Sequence, residues 1–181
     1  VKLLTNGLLV LVLALLLNSS VLAKDKWVKV KSQNFTLIGN ASEKRVREVA
    51  TKLEQFRHTF TQIFPGMSFK SPIPTSVVVF KNSGSFKPYK NIKWAAGYFA
   101  PGEDINYIAL HSGGDRKYLY TTIFHEYIHF LVNNNVGKSV MPPWFGEGIA
   151  EYYDQFRIKD DRIVTLGSPN SSHLISLQRS R

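Results

Sequence analysis

The 181-residue chain contains no cysteine. No disulfide can brace it, no thiolate can ligate a metal or attack a substrate, and no lipid can be attached at an N-terminal cysteine. Any metal site must therefore be built from histidine and carboxylate. Both are scarce: there are 5 His, and 13 Asp and Glu stand against 23 Lys and Arg, for a net charge of +10. Long apolar runs are missing too. The longest, Leu8 to Leu17, falls short of the roughly 20 residues that cross a bilayer. No internal repeat, no low-complexity segment beyond the N-terminal one and no standard nucleic-acid-binding motif is present.

What is present begins with a processing signal. Lys2 is the only charge before Lys24, the apolar run follows it, and Val21-Leu22-Ala23 places compact residues at the −3 and −1 positions of a cleavage site. Residues 1–23 read as a secretory signal peptide, with an uncleaved anchor as the alternative, and 24–181 as a single domain with enough chain for a real core. Export, to a periplasm or a secreted space, argues against nucleic acid as the partner. A basic exported protein suits an anionic cell-envelope surface instead.

Within 24–181, residues 24–112 read as a sheet with one helix. Trp27 to Ile38 alternates like two strands around Ser32-Gln33-Asn34. Ser42 caps an amphipathic helix whose apolar positions (Val46, Val49, Leu53, Phe56, Phe60) recur at three- and four-residue spacing, and Pro65-Gly66 stops it. His58 on that helix reads as a surface histidine. Val77 to Phe80 predicts a buried central strand, and 81–93 a polar loop. Ala95 to Ala100 and Ile105 to Leu110 predict two strands joined at Pro101-Gly102-Glu103-Asp104.

Residues 113–181 carry the chemistry. A helix from Tyr118 to about Asn134, capped by Ser112 or Asp115, contains His125-Glu126-Tyr127-Ile128-His129. Asn133 to Gly137 supplies its C-cap. Positions i and i+4 share a helix face, so His125 and His129 can turn two imidazoles toward one Zn²⁺. Glu126 can then take a proton from water at the metal's open position. With 7 Glu and 5 His in the chain, chance placement gives about 0.005 matches to H-E-x-x-H. A catalytic zinc takes three protein ligands. Glu147 is the candidate third, on a helix from about Trp144 to Phe156 opened by Pro142-Pro143. A short connection makes the two helices antiparallel and brings Glu147 beside the histidines. Gly146 and Gly148 suggest close backbone approach there. Glu151, one turn on, is placed to accept the second ring N–H of a ligand histidine. Ile158 to Val164 reads as a hairpin.

Together, His125-Glu126-x-x-His129 and Pro143-Trp144-Phe145-Gly146-Glu147-Gly148-Ile149-Ala150-Glu151-Tyr152 resemble the gluzincin metallopeptidases, most of all bacterial peptidase-MA-like domains of unassigned substrate. Gly97-Tyr98-Phe99 and Asn106-Tyr107-Ile108 resemble that group too, and the similarity spans roughly Ala95 to Leu177. The gap from His129 to Glu147 is one residue shorter than in the aminopeptidase members. The resemblance implies an α+β fold: a small mixed or antiparallel sheet with an amphipathic helix, then the zincin active-site helix and a second antiparallel metal-ligand helix. It implies one Zn²⁺ on His125, His129 and Glu147, Glu126 as general base, and a peptide or protein substrate lying on an edge strand, Ile105 to His111. It further implies a Tyr or His oxyanion stabiliser from a C-terminal helical lobe. Of that lobe only 25 residues follow Phe156, with His173 as the available group, so either the domain is truncated or another chain completes the cleft. Two functions follow from different classes: an exported zinc peptidase, or an inactive peptidase-fold binding module at the cell envelope.

Overall fold

The computed structural model describes residues 25–70, 72–90, 95–136, 141–159 and 163–179; residues 1–23, expected as a signal peptide, lie outside them. Alternation in the first stretch produces β1 (Val28–Lys31) and β2 (Thr36–Gly39), paired antiparallel with Val30 opposite Leu37. Helix α1 (Glu43–Ile63) follows, its Ser42 hydroxyl accepting the Arg45 N–H as expected of an N-cap. Next come β3 (Thr75–Phe80), a one-turn helix α2 (Ser83–Phe86) with a 3₁₀ turn (Lys87–Tyr89), and the antiparallel pair β4 (Gly97–Ala100) and β5 (Asn106–His111). Helices α3 (Arg116–Val136) and α4 (Pro143–Asp154), the hairpin β6 (Arg157–Lys159) and β7 (Ile163–Thr165), and helix α5 (Ser171–Arg179) complete the order.

The result is an α+β fold with a five-stranded mixed sheet in the order β1-β2-β3-β5-β4. Strand β3 is central, parallel to both β2 and β5. This order corrects one expectation. Strand β5 is not the sheet edge, because β3 pairs along its whole length; the edge next to α3 is β4. The expected loop 81–93 is also partly helical. Asn82 and Ser85 form a reciprocal capping box, enough to hold a single turn.

Side chains on one face of the sheet (Val30, Leu37, Val77, Val79, Ile108, Leu110) meet the apolar faces of α1 and α3, and all are buried. Aromatic rings do much of the packing. Phe56 of α1 stacks on Phe124 of α3 at 4.5 Å between centroids, and Phe156 meets both edge-on. The other face carries a smaller cluster of Phe80, Phe86 and Ala109. Helix α3 is thus held on several sides, with Leu119, Ile123, Phe124, Tyr127, Ile128, Phe130 and Leu131 buried. Its last turn is tied down as well. Asn134 and Asn135 donate to the Ser68 carbonyl, and Asn135 Oδ1 accepts the Ser68 N–H. These asparagines, expected as a C-cap, lie within the helix and fasten its end to the segment after α1.

Candidate functional site

Asp115 settles the start of α3, its Oδ1 accepting the Lys117 N–H at 2.9 Å. From there the helical repeat decides which side chains escape the core. Tyr118, Thr122, His125 and His129 recur at spacings of four, three and four, so they form one stripe. The stripe faces a cleft of about 1110 Å³, walled opposite by β4 and by residues of α4. Fixing α3 in the core therefore fixes the stripe.

His125 and His129 lie with ring centroids 4.8 Å apart. Glu147 comes in from α4, with Oε2 at 3.2 Å from His125 Nε2 and Oε1 at 3.5 Å from His129 Nε2. The three expected ligands are thus brought together, their donor atoms all within 4.8 Å of one another, and the set can hold a metal ion. Helix α4 runs back along α3, as the contacts show in sequence: Glu147 meets His125 and His129, Asp154 meets His125, and the Arg157 guanidinium reaches the Thr121 hydroxyl at 3.3 Å.

The general-base candidate is set by the sheet edge. Glu126 lines the cleft beside β4, where the Phe99 backbone N–H is near enough to favour its charged form. Phe99 stands opposite Ile108 and Ala96 accepts from His111, so in the alternating antiparallel ladder Phe99 turns its N–H away from β5. Burial pushes the Glu126 carboxyl up from its ordinary value. Glu147 adds to that, and His125 and the Phe99 N–H oppose it without cancelling it. A protonatable carboxyl is what proton transfer needs.

The second nitrogen of His125 has a partner that the sequence reading did not name. Asp154 Oδ2 lies 3.4 Å from His125 Nδ1, and Asp154 is buried, a rare state for an aspartate without such a role. Burial alone would lower the His125 pKa, but the Asp154 contact and the charges of Glu126 and Glu147 outweigh it and raise it. His129 moves the other way, lowered by burial and then by His125. Glu151, expected at the histidine, lines the cleft with its carboxylate grouped with His125 and Asp154, their ligating atoms within 4.8 Å of one another, and it accepts from Asn170 Nδ2 at 3.1 Å. The signal for Asp154 was available. It stands seven residues after Glu147, two helical turns along the same face.

Two further expectations meet a different outcome. A Cβ added at Gly146 or Gly148 would touch nothing within 4 Å, so close helix approach is not what these glycines serve. At the cleft it is Gly97 that approaches a helix closely: a Cβ there would meet Thr122 Cγ2 of α3 at 2.8 Å. His173 falls on the backbone of α5, but its side chain lies outside the described residues. No family model matches this chain, and no curated protein does.

Proposed function

We propose that this chain is an exported zinc-dependent peptidase, with His125, His129 and Glu147 holding one Zn²⁺ and Glu126 as general base. One observation carries the proposal: two imidazole nitrogens converge on a single carboxylate at 3.2 and 3.5 Å inside a cleft that also holds Glu126. Zinc with ligands at about 2.0–2.2 Å in a tetrahedron requires neighbouring donors about 3.3–3.6 Å apart. The two nitrogen–oxygen distances lie close to that spacing, and nitrogen and oxygen donors are those zinc takes.

Zinc bound there supplies Lewis acidity, polarising a substrate carbonyl and lowering the pKa of water. The chain's own residues do the rest. Glu126, with the Phe99 N–H beside it, takes the proton of the attacking water and delivers it to the leaving amine. Asp154 holds the His125 ring so that Nε2 faces Glu147.

Export rests on the N-terminal signal pattern. Among the described residues no helix is long and apolar enough to cross a membrane. The test is metal content by mass spectrometry followed by peptide turnover. One equivalent of zinc and hydrolysis lost in Glu126→Gln support the proposal. One equivalent of zinc with no Glu126-dependent hydrolysis favours the binding module. No bound metal, with His125→Ala unchanged in thermal stability, removes the site.

A further inference from the structure

A sheet whose middle strands are parallel is ordinarily covered on both faces. Here β2, β3 and β5 are parallel, and helices α1 and α3 cover one face. Register fixes what the other face presents. One row across it reads Lys29, Ile38, Val78, Ala109 and Tyr98; the next reads Lys31, Thr36, Ser76, Tyr107 and Ala100. Helix α2 and the 3₁₀ turn roof one end, where Phe86 and Tyr89 pack on Phe80. Beyond that roof Tyr107 is 41% exposed, and Ile38 and Val78 are only half-buried. Trp27, edge-on to Phe80, is 48% exposed. Apolar surface left open in this way marks an interaction site.

Charge says what the partner is. Both rows end at a lysine on the edge strand β1, and no strand position on this face is acidic. Among the described residues no carboxylate pairs with Lys29 or Lys31, whereas Arg45 and Arg47 of α1 are paired, at 2.9 Å to Glu48 and 2.6 Å to Glu43. Trp and Tyr rings beside lysines on a flat apolar surface suit the boundary between lipid head groups and acyl chains. A soluble or wall-bound polyanion would satisfy the lysines and leave Ile38, Val78 and Tyr107 wet; a bilayer satisfies both. The chain leads there too. Strand β1 opens at Val28, a few residues after Ala23, so the apolar run Leu8 to Leu17 is joined to the fold at this edge.

We infer that the open sheet face, through Trp27, Lys29, Lys31, Ile38, Val78 and Tyr107, docks on an anionic lipid surface. Helix α3 and its histidines lie across the sheet from it, so docking leaves them clear of the bilayer. The inference is independent of the peptidase proposal, because no metal ligand stands on this face.

The experiment uses the full chain, whose lack of cysteine lets one introduced thiol carry an environment-sensitive dye without background. Ser76→Cys and, separately, Tyr107→Cys put the dye on the open face; Thr51→Cys puts it on the exposed side of α1. Each protein is mixed with phosphatidylcholine vesicles, with and without phosphatidylglycerol. The dye at 76 or 107 is expected to shift to the blue on the anionic vesicles, and the dye at 51 to stay as in water. In the double variant Lys29→Gln, Lys31→Gln the affinity is expected to fall about 30-fold, with each lysine contributing about fivefold. High salt is expected to weaken the wild type in the same direction. Residues 1–23 are common to every variant, so insertion of that segment alone would leave the double variant equal to the wild type, which overturns the inference. A shift at 51 as large as on the sheet face, or equal binding to phosphatidylcholine alone, overturns it too. So does polyglutamate that shifts the dye at 76 as far as the vesicles do, since a polyanion would then suffice. Each outcome is read from dye and vesicle, so none of them alters the standing of the peptidase proposal.

Discussion

His125 has different neighbours at its two ring nitrogens, and the difference assigns their work. Nε2 faces Glu147, where a metal would sit, while Nδ1 faces buried Asp154. Asp154→Asn keeps the shape and removes the charge, so the ring loses its anchor and some basicity. Zinc affinity is expected to fall about 10- to 100-fold, read by competition with a chelating dye, with the far-ultraviolet circular dichroism unchanged. Glu126→Gln separates binding from chemistry. Zinc content stays at one equivalent while kcat falls by about 10²–10⁴, the range for a lost general base. At this scale the sequence was informative wherever spacing along one helix sufficed. His125, Glu126, His129 and Glu147 could be named without coordinates. Asp154 was missed because an aspartate two turns from a ligand looks like any solvated helix charge until its burial is known.

Elements decide how accurately those residues meet. Strand β4 lies against α3 through Gly97, and β4 also places the Phe99 N–H beside Glu126. In Gly97→Ala the new methyl would meet Thr122 Cγ2 at 2.8 Å and the Ala109 carbonyl oxygen at 3.1 Å. One neighbour is sheet backbone and cannot yield, so β4 must shift. The cost expected is about 1–3 kcal/mol of stability, from denaturant melts, with peptide turnover reduced in the still-folded protein. Helix α1 is joined to the β1–β2 turn by Glu54, which accepts from the Ser32 hydroxyl at 2.7 Å and from both the backbone and the side chain of Asn34. Burial would raise its pKa, but those hydrogen bonds outweigh burial and hold it below its ordinary 4.5. A depressed carboxylate pKa gives stability that is complete above 4.5 and is lost as pH falls through the folded-state value. Glu54→Gln is expected to lower the urea midpoint at pH 7 and to flatten its decline between pH 4.5 and pH 3. Equal acid slopes in both proteins would rule the contact out as a contributor. Most elements were legible, since periodicity and turn residues are local. The strand order was not. Which of β4 and β5 is the edge depends on β3, some thirty residues from β5, pairing along it. No alternation within either strand records that choice. The helical turn at Ser83–Phe86 was hidden for a milder reason, because Gly84 and Pro88 read as loop while the Asn82–Ser85 capping box overrode them.

At the scale of the whole molecule, the question is whether metal holds the fold together or only occupies it. A cysteine-free chain has no covalent staple, and its core answers for stability instead. Phe56, Phe60, Phe124, Tyr127 and Phe156 are all buried in one aromatic cluster that joins α1 to α3 and to the segment after α4. None of these rings belongs to the metal-ligand set. The site lies on the outer stripe of α3, at the surface of this core. Zinc should therefore stabilise by mass action alone, by about 4 kcal/mol at a thousandfold excess over its Kd, and not by nucleating structure as in a small metal-dependent domain. Chelation is expected to lower Tm in proportion to the logarithm of the free zinc removed, while leaving the helical circular dichroism and a cooperative transition in place. His129→Ala, which deletes a ligand but no core contact of the aromatic cluster, should melt near the chelated wild type and stop responding to added zinc. Loss of the cooperative transition on chelation would instead mean that the packing of α4 on α3 depends on the metal bridging Glu147 to the two histidines.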